Sequence, residues 1–159
     1  MTLRQQSVLI GATATVAAGV PSMSYFDLIP DHLFFLDFTL GVIVAPILGG
    51  IVAVQQYTSR TGTSAESKLK GGGEELSLGP VLGALAAAGG LVISIILSQA
   101  LHVIDLGFQG WISSAPQMHK ATSGTIVAAA AGFVGIAAVH CVVGGIGGAI
   151  GTRIFGADE

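Results

Sequence analysis

Charged side chains are scarce in this sequence. Asp, Glu, Lys and Arg make up 9% of its 159 residues, against about 25% in an ordinary soluble domain. Hydrophobic residues make up 52%, and the mean hydropathy is +0.80. A chain this short and this apolar has too few polar groups to cover a water-facing surface. The composition therefore predicts a single integral membrane domain over residues 1–159.

Several chemical signatures are also missing. Cys141 is the only cysteine, so no disulfide can form within the chain. The net charge of −3 comes without a basic run, which argues against a nucleic-acid partner. The sequence has no Gly-x-x-x-x-Gly-Lys phosphate loop, no Gly-x-Ser-x-Gly elbow and no His-Glu-x-x-His motif. We therefore expect no enzyme activity, no cofactor and no metal.

Long apolar runs are what the chain does contain. The longest, Ser123 to Gly151, carries no charged residue and would extend roughly 40 Å as a helix, more than the ~30 Å hydrocarbon core of a bilayer. We predict an all-α fold, a four-transmembrane-helix bundle. The first run is short and follows Arg4, so a cleaved signal peptide is its alternative interpretation. The predicted spans are residues 6–20, 34–57, 78–104 and 123–151.

The distribution of lysine and arginine predicts the orientation of these spans. With four spans, the N-terminus, the polar loop 58–77 and the C-terminal tail share one side, and five of the six basic residues lie there. Only Lys120 lies on the other side. Basic residues favour the cytoplasmic side, so both termini are expected to be cytoplasmic in a multi-pass protein of the cell membrane.

Glycine is abundant inside the apolar runs. Of 24 glycines, many recur at spacings that leave a flat helix face, which lets a neighbouring backbone approach closely in lipid. We expect such faces to pack within the bundle, and to contact a second copy of the chain or another membrane protein besides the lipid bilayer. The predicted packing residues are Gly49, Gly50, Gly89, Gly90, Gly144, Gly145 and Gly148.

A short sequence echo links the second and fourth spans. Residues 47–51 read ILGGI and residues 142–146 read VVGGI, and both helices would run in the same direction. One interpretation is a pair of parallel-related helical hairpins, as in membrane folds built from repeats. The other is that apolar helices share Gly-Gly-Ile by chance.

Three polar residues fall at the outer ends of predicted spans. Asp37 begins the second span, and Gln99 and His102 end the third. A carboxylate beside an imidazole can hold and pass a proton, so this polar cluster is a candidate proton or cation site. The alternative is that the three groups are solvated at the interface and cap helix ends.

His140 lies deeper, and we expect it in the inner half of the fourth span. Its predicted role is an interhelical hydrogen bond across the bundle. Shared haem ligation with His102 is excluded, because the two would lie near opposite membrane faces. Cys141 is a poor joint zinc ligand, because successive helix positions point about 100° apart. The candidate hydrogen-bond partners of His140, at a similar depth, are Gln6, Gln55 and Gln56.

The glycine pairs at 49–50, 89–90 and 144–145, the terminal GGIGGAIG of residues 144–151 and the polar loop together suggest a resemblance. In these features the chain resembles the small four-helix, glycine-rich membrane proteins of unknown function found in haloarchaea. The resemblance implies a four-helix membrane fold and brings no activity with it. We expect a structural or assembly role, with an oligomeric small transporter or channel subunit as the alternative.

Overall fold

The computed structural model describes residues 1–20, 34–62, 68–69, 76–114 and 123–155, and they are almost entirely helical. The predicted all-α fold is confirmed for this part of the chain. Two strands of two residues each, β1 (Lys68–Leu69) and β2 (Leu76–Ser77), pair antiparallel between the third and fourth helices. The helices are α1 (Leu3–Gly19), α2 (Phe34–Phe38), a π-helical segment (Thr39–Val44), α3 (Ala45–Thr61), α4 (Leu78–Ser114) and α5 (Ser123–Phe155).

Within the described part of the chain, three helical stretches are long and apolar enough to cross a membrane: Thr39–Thr61, Leu78–Asp105 and Val127–Phe155. They correspond to the second, third and fourth predicted spans. The helix α1 has 17 residues, fewer than the ~20 that a perpendicular span needs, and it is not among the three.

Two helices extend past the ends of the predicted spans, and a glycine with positive φ ends one of them and interrupts the other. The helix α3 continues into the predicted loop 58–77 and ends before Gly62, whose φ of 62° is left-handed. The Gly62 N–H donates to the Thr58 carbonyl at 2.9 Å, a common way to close a helix. Beyond the predicted end of the third span, α4 continues to Ser114, interrupted at Gly107 (φ 69°, ψ 162°).

The helix is irregular just before Pro46, where the chain forms a π-helix. Proline has no N–H and its ring crowds the carbonyl four residues earlier. The chain widens over the turn before it, and the Ala45 N–H donates to the carbonyl of Leu40, five residues back. The α-helical pattern then resumes, with Pro46 in the first turn of α3.

The helix directions follow from their close contacts. Thr15 of α1 packs on Gly90 of α4, and Gly11, one turn earlier, lies beside Ala86. Residue numbers increase in the same direction along both helices, so α1 and α4 are parallel. By the same reasoning Gly83 meets Gly144 while Gly79 meets Gly148, so α4 and α5 are antiparallel.

The largest buried side chains gather at one end of the bundle, which we call the core end. Here α1 and α4 begin and α3 and α5 end. Arg60 of α3 donates to the Gln6 side chain of α1 there at 2.6 Å. The opposite end, where α5 begins, is called the open end. The core cluster consists of Ala53, Val54, Tyr57, Leu78, Leu82 and Ala86.

Glycine backbones touch directly between these helices. A Cβ on Gly11 would lie 2.6 Å from the Gly49 carbonyl oxygen and 2.8 Å from the Ala86 Cβ, closer than real atoms approach. A Cβ on Gly50 would overlap the Gly144 carbonyl oxygen. Such contacts supply the van der Waals attraction that holds helices together in lipid.

We expect Gly50→Ala to destabilise the protein by about 1–3 kcal/mol, because the added methyl group forces two backbones apart. Gly135→Ala is the matched control. Nothing lies within 4 Å of a Cβ at that position, and alanine favours a helix over glycine by up to ~1 kcal/mol. Thermal unfolding of both variants in detergent measures the difference. Equal melting temperatures would contradict the close packing described here.

Candidate functional site: a cavity beside His140

A small, half-open cavity lies where the helices meet, on the open-end side of the core cluster. Its volume is about 240 Å³, below the ~300–1,000 Å³ of pockets for drug-sized ligands. A water molecule takes up about 30 Å³ in the liquid, so the cavity suits a few waters or one small solute. Its lining consists of Thr15, Gly19, Gly41, Val42, Ala45, Leu91, Ser94, Ile136 and His140.

His140 is the one titratable side chain in this lining, and it is 6% exposed. Its Nδ1 atom lies 3.0 Å from the carbonyl oxygen of Ile136 in the same helix. A carbonyl oxygen only accepts, so Nδ1 donates and carries the ring proton. When the ring is neutral, Nε2 is therefore the nitrogen that can accept a hydrogen bond.

Two residues of the π-helical segment, Gly41 and Val42, line the cavity. Gly41 and Val42 precede Pro46 by five and four residues. An N–H at residue 46 would donate to the Gly41 carbonyl in a π-helix and to the Val42 carbonyl in an α-helix. Pro46 supplies no N–H, so at least one carbonyl of this turn lacks its helical donor. Single π-helical turns often occur at functional sites, and here one turn faces the buried imidazole.

The wall residues allow hydrogen bonding more readily than other chemistry. Ser94, the π-helical residues Gly41 and Val42, and His140 are among the residues that line the space, and none of the described lining residues is Asp, Glu, Lys or Arg. The Thr15 hydroxyl donates to the Gly11 carbonyl at 3.1 Å. No group of three or more His, Cys, Asp or Glu that could hold a metal ion occurs in the described part of the chain. The arrangement can hold water or a small polar solute, and an imidazole can accept a proton from it.

The surroundings of His140 do not fix its depth in a bilayer. It shares the cavity with Leu91 and Ser94, which lie near the middle of the stretch Leu78–Asp105. Its expected place in the inner half of the fourth span therefore stays a prediction. The hydrogen bond of its Nδ1 lies within α5. An interhelical bond through Nε2 stays a prediction.

The proposed partners of His140 lie elsewhere. The Gln6 side chain accepts from Arg60 at the core end, and Gln55 is exposed. Of the predicted outer polar cluster, Gln99 is exposed on α4. The side chains of Asp37 and His102 lie outside the described residues, so the cluster stays a prediction.

The predicted packing glycines divide into tight and loose positions. The tight positions include Gly49 and Gly90, which both pack on Thr15, and Gly148, which packs on Gly79. A Cβ on Gly89 would lie 3.3 Å from the Ala12 Cβ, which is tighter than most real contacts. A Cβ on Gly145 would lie 3.5 Å from the Pro80 carbonyl oxygen, which is ordinary contact. Each of the seven positions therefore has a neighbour within 4 Å.

Most of the cavity wall escaped the sequence analysis. Gly41, Leu91 and Ser94 belong to no recognisable sequence motif. The spacing of apolar residues along a helix does not show which of its faces packs against the other three helices. Pro46 was the available signal, because a proline within a span leaves a carbonyl without its donor.

No family model, no curated protein and no solved structure matches the chain.

We expect His140 to occur as the Nδ1-protonated tautomer when neutral, because only this form bonds to the Ile136 carbonyl. Nitrogen chemical shifts of ¹⁵N-histidine-labelled protein in detergent distinguish the two ring nitrogens. The signal that His140→Phe removes identifies this residue among the four histidines. An Nε2-protonated ring would show that the contact to Ile136 is not a hydrogen bond.

Proposed function

We propose that this chain is a multi-pass membrane protein with a structural or assembly role and without catalytic activity. One observation carries the proposal: from residue 127 to residue 136 every side of α5 is exposed, although this helix is the most crowded with small residues. Val127 and Val134 are about two-thirds exposed. A helix that protrudes from its own bundle in this way has surface left for a partner.

The tightly closed core end supports the same role. A transport path would need polar groups continuing from the cavity to both membrane faces. Between the cavity and the core end, the described interior is mostly glycine contacts and the core cluster. Ser7 and Thr152 are also buried there, but each hydroxyl donates to a carbonyl of its own helix and leaves no polar path between helices. Such an interior favours a packing subunit over a pore.

The proposed topology is four spans with both termini in the cytoplasm. Arg4, Arg60 and Arg153 all belong to helix ends at the core end, and basic residues favour the cytoplasmic side. The helix α1 would be retained as the first span rather than removed as a signal peptide. Its support is packing: Ser7, Gly11, Ala12, Thr15 and Gly19 are buried.

Helix contacts support the proposal that the chain is built from two parallel-related helical hairpins, α1 with α3 and α4 with α5. In the echo ILGGI and VVGGI, Gly49 faces α1 and Gly144 faces α4, so the first glycine of each pair packs on its own hairpin partner. The helices α1 and α4 are parallel, as two copies of one hairpin would require. We propose parallel-related hairpins on these grounds.

The proposed partner is a second copy of the chain or another membrane protein, meeting the protruding part of α5 within the lipid bilayer. Ala128 to Ala131, Gly132 and Gly135 give this part a small-residue surface that a neighbouring helix can approach closely.

We expect Gly132→Trp to abolish the oligomer, because a large side chain prevents close approach of a partner helix there. Leu48→Trp is the matched control, since Leu48 is 43% exposed on a different helix. Native mass spectrometry from mild detergent reports the assembly, and thermal unfolding shows that both variants fold. A wild-type chain that is monomeric and retains no partner contradicts the assembly role.

The cavity favours a second candidate function, an oligomeric small transporter or channel subunit. The test is proton and cation flux in vesicles that contain the purified protein. Transport would require flux above that of empty vesicles, and a marked loss in His140→Phe. Equal flux in all three preparations contradicts this candidate.

A further inference from the structure

A long groove runs between α1 and α4 on the surface of the bundle, with a volume of about 770 Å³. Its floor is buried: Ala12, Leu78 and Leu82 are each about 2% exposed or less. Its rims are half exposed, with Leu9 at 49% and Leu85 at 52%. The groove is therefore a channel along the helices rather than a flat face.

The shape of the groove follows the helix axes. The α4 wall extends from Leu78 to Ile93, which is about 22 Å at 1.5 Å per residue. Half of a ~30 Å hydrocarbon core is about 15 Å. A single acyl chain that starts at the core end would thus fit entirely within the groove. Apart from Arg4 and Gln5, the lining is apolar throughout.

The polar residues lie together at the mouth of the groove. Arg4 lies there with Gln5, and among the described residues the lining includes neither Asp nor Glu. Both walls are helices that begin at this end, so their positive dipole ends reinforce the charge of Arg4. The first turn of α1 is held by a capping box: the Gln5 side chain accepts from the Thr2 N–H at 2.8 Å, and the Thr2 hydroxyl accepts from the Gln5 N–H at 3.3 Å.

We propose that this groove binds one acyl chain of an anionic phospholipid from the leaflet at the core end, with the lipid phosphate beside Arg4. An apolar channel that opens at a cationic mouth complements a lipid with one negative charge above a hydrocarbon tail. Lipid in a cytoplasmic leaflet supplies this charge. The inference rests on the membrane placement proposed above.

A second copy of the chain complements the groove less well. In a symmetric membrane dimer whose axis is normal to the bilayer, equal residues lie at equal depth. Two copies packed groove to groove would bring their Arg4 side chains to the same level, and like charges repel. An anionic lipid neutralises Arg4 instead.

The test is native mass spectrometry of the full chain in detergent, titrated separately with phosphatidylglycerol and phosphatidylcholine of identical acyl chains. We expect one phosphatidylglycerol per chain, bound about fivefold more tightly than phosphatidylcholine, since one basic residue near the surface contributes about that factor. Arg4→Gln should remove the preference. Arg153→Gln, an exposed arginine at the same end on α5, should retain it.

Leu85→Trp tests the location, because the indole would fill the groove from its rim. It should abolish binding of both lipids, while Leu48→Trp leaves binding unchanged. Thermal unfolding without lipid verifies that each variant folds, and added phosphatidylglycerol should raise the melting temperature of the wild type but not of Leu85→Trp.

The proposal is overturned by equal binding of the two lipids, by an equal loss in Arg4→Gln and Arg153→Gln, or by unchanged binding in Leu85→Trp. A dimer that Leu85→Trp dissociates would assign the groove to a second copy. These outcomes are distinct from failure of the membrane placement, which would appear as a chain that remains soluble after detergent removal.

Discussion

Direct contact between glycine backbones is the constraint on which the rest of this structure depends. Helices in lipid gain nothing from burying apolar side chains against one another, because the surrounding tails are equally apolar. Close approach has to supply the attraction, and Gly50 against Gly144 and Gly83 against Gly144 provide it. Two threonines join these contacts, since the hydroxyls of Thr15 and Thr152 each donate to the carbonyl four residues earlier. A polar group whose hydrogen bond is made within its own helix can be buried at a helix contact.

This packing also explains why the molecule has two unlike ends. Glycine contacts concentrate between the middle of the bundle and the core end, and there α3 and α5 run side by side as α4 closes over them. Toward the open end, a Cβ on Gly132 or Gly135 would meet nothing within 4 Å, and residues 127–136 of α5 are exposed. The cavity lies at the transition. There Pro46 widens the helix before it, and His140 is the first buried residue of α5 counted from the open end within the described part.

Much of the architecture was predictable because it follows from composition and length. The scarcity of charge and the uncharged run to Gly151 predicted long apolar helices, and three such helices are present. The site was far less predictable. The position of His140 depends on where α5 begins to pack, and its Nδ1 contact lies within its own helix rather than with the glutamines expected from depth. The helices extend past the predicted spans, to Thr61 and to Ser114, because apolar runs indicate where a helix can lie in lipid but not where its hydrogen bonding stops.

The sequence by itself determined the all-helical class of the fold, the long apolar segments and the residues small enough for close packing, because these are properties of single residues and their spacing. Only the tertiary structure decided which glycine meets which backbone, that α1 lies against α4 to form an apolar groove, and that a π-helical turn, a serine and a histidine enclose one cavity. Those features depend on how four helices rotate about their axes. In an apolar sequence nearly every face can be buried, so the rotation is set by mutual packing and not by hydrophobic periodicity.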